Sequence, residues 1–99
     1  MTLRYVLQVI SISNDQEFRD LVLEADIIIE AIPEKLALKQ SLFSKIGDIL
    51  RSKPESDLPI IGSNTSSLDI DSIASFLPTN LQPRFLGKIF PFLQAKFYL

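Results

Sequence analysis

The chain has 99 residues, 46% of them hydrophobic and 22% charged, with a formal net charge of −2. That balance describes one globular domain; it excludes a disordered chain, and the scattered basic residues leave no patch to hold a nucleic-acid backbone. Cysteine and histidine are both absent, which removes disulfides, zinc ribbons, thiol catalysis and any imidazole base.

The opening run "LRYVLQVISIS" (3–13) is rich in β-branched residues and partly alternates, so it predicts a strand. It lacks the continuous apolar core and cleavage site of a secretory signal, and no apolar run is long enough to span a bilayer. The expectation is a soluble intracellular chain with no membrane partner. Asn14 or Asp15 then caps a helix in which Phe18, Leu21, Val22 and Ala25 share one face. "DIIIEAI" (26–32) is continuously apolar rather than alternating, the pattern of a strand buried on both faces of a parallel sheet. Pro33 and Glu34 open the next helix, which runs to about Arg51 with Leu42, Phe43, Ile46, Ile49 and Leu50 as its inner stripe. "SKPESDLP" reads as a loop and "PIIGS" (59–63) as a short strand. Ser66 or Ser67 caps "LDIDSIASFL", "LPTNLQP" is a turn-rich loop, and "RFLGKIF" (84–90) is a last strand.

Strands and helices therefore alternate along the whole chain, with short loops between them. This predicts an α/β fold, an incomplete Rossmann-like parallel sheet with flanking helices. In such sheets ligands bind beyond the carboxyl ends of the strands. Two consecutive strands end in polar groups, one in "EAIPEK" and the other in "SNTSS", and parallel connection puts both on one rim. In "SNTSS" (63–67) helix capping accounts for one hydroxyl. It leaves Ser63, Asn64, Thr65 and the other serine for a ligand, and the two readings stand level. Glu30 can simply end its strand, Glu34 can favour the helix dipole, and Lys39 can be a solvated surface lysine. Taken together, an acid and a lysine near a strand's carboxyl end allow a second reading, a cofactor clamp. Gly47, Gly62 and Gly87 are too far apart for a phosphate-binding glycine loop.

"ADIIIEAIPEKLALKQSLFSKI", then "SNTSSLDIDSIA", then "PRFLGK" resembles the NAD-binding domain of L-3-hydroxyacyl-CoA dehydrogenases, in order, over about residues 10–88. The resemblance implies one partial domain over residues 1–99, with a divergent tail at 89–99. It implies NAD as cofactor and a (3S)-3-hydroxyacyl-CoA as substrate, oxidised to the 3-oxoacyl-CoA in fatty-acid β-oxidation. Ser66 matches the family's catalytic-site serine, Glu34 and Lys39 its cofactor-contacting acid and lysine, and Asn64 lies in the same loop. No metal is implied.

The departures are specific. The family's G-x-G-x-x-G loop and acidic ribose ligand lie upstream of the match. After the glycine matching Gly87 the family reads like "MHFFNP", whose histidine is the base, whereas here Ile89 stands in place of that histidine and Phe92 in place of the asparagine. The chain alone is therefore expected to be inactive and marginally stable. The family's strand order 3-2-1-4-5-6 adds that 26–32 should lack its neighbour and present a bare edge, with 3–13 packing elsewhere. A partner implied by that edge is a complete dehydrogenase subunit. The alternatives to an enzyme segment are a non-catalytic binding or regulatory chain, or a remnant without function.

Overall fold

A computed structural model gives the structure, which describes residues 5–13, 15–64 and 68–88, with positions 86–88 given by their backbone. Seven elements alternate: β1 (Val6–Val9), α1 (Gln16–Glu24), β2 (Ile27–Glu30), α2 (Leu36–Leu50), β3 (Ile60–Ser63), α3 (Ile70–Ala74) and β4 (Phe85–Lys88). A short 3-10 turn at Glu55–Asp57 lies inside the first expected loop; a second, at Gln82–Arg84, takes in Arg84, the expected first residue of the last strand, which starts at Phe85. No helix among the described residues is long and apolar enough to cross a membrane.

The four strands pair in the order β1-β2-β3-β4, and every pairing is parallel. This overturns the expected bare edge on "DIIIEAI". β1 pairs with β2 in register, Val6 with Ile27 through Val9 with Glu30. Pairing of β1 satisfies the backbone groups that an edge at β2 would leave open. The free edge on that side is β1, so no partner strand is needed to cover β2.

Because the order runs in one direction, right-handed crossovers put all three helices on the same face of the sheet. The core agrees. Leu7, Val9, Ile28 and Ile61, which share one face by register, form a single cluster with Phe18 and Val22 of α1, with Leu42, Phe43 and Ile46 of α2, and with Ile73 of α3. The Phe43 ring meets Phe85 edge-on at 5.5 Å between centroids, tying α2 to β4. Lys45 stands 5.6 Å over the Phe18 ring, tying α2 to α1.

Local chemistry sets the helix starts. Asp15 caps α1, and its Oδ1 accepts from the Phe18 backbone N–H at 2.8 Å; Asn14, the other expected cap, lies outside the described residues. α2 begins at Leu36, three residues later than the Pro33 start expected from sequence. Lys35 is still extended, at φ −127° and ψ 118°, and its N–H donates to the Pro33 carbonyl at 2.7 Å. A tight turn over 33–35 thus replaces the first helical turn. Asp69 caps α3 by accepting from Asp71 N–H at 3.3 Å; the expected caps Ser66 and Ser67 lie outside the described residues.

Two predictions follow from these contacts. The Phe18 N–H first, and the Ser13 hydroxyl second, hold the Asp15 carboxyl below its ordinary value of 3.8. A depressed carboxyl contributes stability above its unfolded pKa and loses it as pH falls through the folded value. Urea midpoints of the natural chain and Asp15→Asn should therefore run parallel at neutral pH and converge below about pH 4. Gly47 of α2 is the second case, since a Cβ there would stand 2.5 Å from Cδ and 2.9 Å from Cγ of the Pro78 ring. Gly47→Ala gains about 1 kcal/mol of helix propensity, yet overpacking against a stiff ring costs about 1–3 kcal/mol. Urea denaturation should show net destabilisation; a raised midpoint would mean that the loop carrying Pro78 yields.

Candidate functional site

The last residues of β2 and β3, Glu30 and Ser63, are register partners. They lie two positions beyond the Ile28–Ile61 pair, so both side chains point to the helix-covered face. Both are fully buried. A buried carboxylate is costly unless its lone pairs are filled, and Glu30 fills them on both oxygens. Oε1 accepts from Ser63 Oγ at 2.5 Å, while Oε2 accepts from the Ile32 N–H at 2.8 Å and from Lys39 Nζ, with which it forms an ion pair.

Lys39 projects from the first turn of α2 and is also fully buried. Its ammonium meets Glu30, the Ile32 carbonyl at 3.2 Å and Glu34 Oε1 at 3.2 Å. The Glu34 side chain keeps 35% of its surface open, so it is the exposed end of this network. On the β3 side, the Asn64 N–H donates to the Glu30 carbonyl at 2.7 Å. Asn64 Oδ1 is buried without a hydrogen-bond partner. An unpaired buried acceptor carries a desolvation cost, which a donor from a ligand would relieve.

Three of the four residues singled out from sequence, Glu34, Lys39 and Asn64, therefore gather at the carboxyl edge of the sheet around Glu30. The fourth, Ser66, lies outside the described residues. Lys39 is not the solvated surface lysine that its position alone allowed, because it lies beneath the turn at 33–35 and inside the polar cluster. Glu34 precedes α2 rather than sitting in its first turn, and its carboxylate is directed to Lys39. Sequence reasoning missed the Glu30–Ser63 pair. Its signal was present: two adjacent apolar strands, "IIIE" and "IIGS", each close on a polar residue at the same distance from the rim.

A cavity of roughly 870 Å³ opens at the opposite, amino edge of the sheet, between Tyr5, Asp26, Lys53, Asp57 and Arg84. Its cations are committed to structure, Lys53 Nζ to the Leu23 carbonyl at 2.6 Å and an Arg84 guanidinium N–H to the Glu55 carbonyl at 3.3 Å. The carboxyl edge, where unpaired polarity and the crevice rule coincide, is the better site.

The cluster's asymmetry gives a stability test. Lys39→Met leaves Glu30 buried without its cation and should cost about 3–5 kcal/mol. Adding Glu30→Gln removes the orphaned charge, so the double variant should recover part of that loss. Equal instability of single and double variants in urea would show that the ion pair does not carry the effect.

Comparison with known proteins agrees with this geometry. The family described as "3-hydroxyacyl-CoA dehydrogenase, NAD binding domain" matches residues 3–90. A Rickettsia prowazekii protein named as a fatty acid oxidation complex trifunctional enzyme is 38% identical over 77 residues, 78% of this chain and 10% of that protein. The mitochondrial hydroxyacyl-coenzyme A dehydrogenase of Sus scrofa is 38% identical over 77 residues, and that of Homo sapiens 36%, in each case 22% of the relative's length. The chain thus spans a small part of the curated relatives it matches. A solved diketoreductase structure superposes with a TM-score of 0.58 at 27% identity, covering 74% of this chain and 23% of that one. With a parallel α/β sheet, a polar carboxyl edge and a match over nearly its whole length, the chain belongs to the NAD-binding domain family of the 3-hydroxyacyl-CoA dehydrogenases.

Proposed function

We propose that these residues form the later part of the nucleotide-binding domain of an NAD-dependent 3-hydroxyacyl-CoA dehydrogenase, and that the 99-residue chain by itself is inactive. The complete reaction is oxidation of a (3S)-3-hydroxyacyl-CoA to the 3-oxoacyl-CoA, a step of fatty-acid β-oxidation. The observation that carries the reading is the meeting of Glu34, Lys39 and Asn64 at one mouth between β2 and β3.

The donor set fits a nicotinamide nucleotide. Glu34 offers a partly open carboxylate to a ribose hydroxyl, and the buried Asn64 Oδ1 offers an acceptor to an amide or hydroxyl donor. Lys39 acts by holding Glu34 in place and neutralising its inner side. Ser66, three residues beyond Ser63, contacts the substrate oxygen and the nicotinamide side. The cofactor, when bound, supplies the hydride acceptor.

Alcohol oxidation also needs a base for the hydroxyl proton, and a group titrating near pH 7 suits that task. The chain has no histidine. Glu30 is committed to Ser63 and Lys39, and Glu34 to Lys39, so neither carboxylate is free to serve. The 99 residues also contain no G-x-G-x-x-G run to bring backbone amides to the pyrophosphate. These two features support inactivity of the chain alone.

Calorimetric titration with NADH tests that part: the isolated chain should give no saturable heat at micromolar concentrations, and saturable binding would overturn it. A chimera tests the site, with residues 10–88 replacing the matched stretch of the Sus scrofa enzyme. Glu34→Ala in that chimera should weaken NADH binding about tenfold, equivalent to roughly 1.4 kcal/mol. Ser66→Ala should lower turnover by about 10²-fold, the usual effect of losing one donor at a reacting oxygen. A folded chimera indifferent to both substitutions would refute the assignment.

A further inference from the structure

Among the described residues β1 is paired on one side only. The carbonyls of Tyr5 and Val9 accept from the Asp26 and Ala31 backbone N–H groups at 2.9 and 2.8 Å, so the backbone groups of Tyr5, Leu7 and Val9 turn to β2. Those of the alternate residues, Val6, Gln8 and Ile10, turn outward. Such an open row of donors and acceptors templates another strand, and natural edges blunt it with charge, proline or a bulge. The run "YVLQVISIS" (5–13) has no charge, proline or glycine. The opposite edge is guarded: β4 carries Gly87 and Lys88, follows Pro83 and Arg84, and shifts register against β3 between Ile61 and Ser63. Val6 is 45% exposed, Ile10 70% and Ile12 37%, three of the five large hydrophobics exposed among the described residues. Apolar exposure is therefore concentrated at the unguarded edge.

We propose that β1 is a dimerisation edge, pairing antiparallel with β1 of a second copy of this chain across a two-fold axis at Gln8. The sequence is self-complementary about that residue. Gln8 faces Gln8, Val6 faces the partner's Ile10, and Leu7 faces the partner's Val9, so apolar meets apolar on both sides of an amide pair. Moving the axis to Leu7 or Val9 would set Gln8 against Val6 or Ile10. The backbone agrees with the axis at Gln8. Val6, Gln8 and Ile10, whose N–H and C=O groups face outward, fall in the hydrogen-bonded pairs, which exchange both bonds. On the helix-covered side a hollow of roughly 210 Å³ lies beside the edge, lined by Leu7, Val9, Phe18 and Leu21. A cavity of about 150 Å³ holds a benzene-sized group, so this one has room for the partner's Leu7 and Val9. A two-fold pairing also closes on itself, whereas β1 joined to β4 of the next copy would run on as an open fibre.

Sedimentation equilibrium of the 99-residue chain tests this and should show a monomer–dimer equilibrium. A chain still monomeric at about 1 mM, where even weak association registers, would overturn the proposal, and so would open-ended assemblies. Gln8 is exposed, so Gln8→Lys should keep the circular dichroism of the natural chain. It sets like charges opposite each other on the axis and should weaken dimerisation severalfold; an indifferent dimer would place the contact elsewhere and sink the idea. The chain has no cysteine, which allows a second reading. Hydrogen-bonded antiparallel partners stand about 5.5 Å apart at Cα, within disulfide reach. Under mild oxidation Gln8→Cys should cross-link into a covalent dimer, and Ser52→Cys, at an exposed turn away from β1, should not. Equal cross-linking of the two variants would count against the edge.

Discussion

The Glu30 carboxylate is the point through which the carboxyl edge is assembled. It ends β2, bonds the last side chain of β3, closes the turn that follows its own strand and anchors the first turn of α2. Three chain segments are thereby fixed relative to one another by one buried group. Burying that charge is expensive, and the local geometry offsets the cost by giving each oxygen a short, well-directed donor. The polar groups beyond it, the exposed Glu34 and the half-buried Asn64, inherit their positions. Glu34 is fixed through Lys39, and Asn64 through its backbone bond to the Glu30 carbonyl. Glu34, in the turn after β2, and Asn64, just past the end of β3, are thereby tied to the buried cluster.

Much of the fold was legible because the periodicities are clean. The isoleucine run of β2 reads as a strand buried on both faces, and the α2 stripe at Leu42, Phe43, Ile46, Ile49 and Leu50 is buried as its spacing requires. Asp15 was legible as a cap because a short acid before an amphipathic stretch has little else to do. The start of α2 was misplaced for a definable reason. Pro33 and Glu34 look like a first helical turn, but a buried lysine nine residues beyond Glu30 draws the Glu34 carboxylate inward and holds the turn open. Propensity is local, whereas that ion pair depends on tertiary packing. The Glu30–Ser63 bond is 33 residues distant in sequence, and only the register of two parallel strands brings it together.

The strand order was misjudged at β1 for a related reason. The family's order places two strands between the segment at 3–13 and β2, and the expectation carried that separation over. Among the described residues β1 lies directly beside β2, because an unsatisfied row of backbone donors and acceptors next to three apolar side chains is the strongest local demand for a partner. The one-directional order follows, and with it the one-sided helical layer.

The pairing of β1 has a wider consequence. The position beside β2 asks little of what fills it: a backbone four residues long and two alternate apolar side chains, here Leu7 and Val9, turned to the helices. Nothing in that demand names a particular strand of the parent architecture. The groove thus specifies its occupant by backbone pairing and by apolar alternation rather than by any individual side chain.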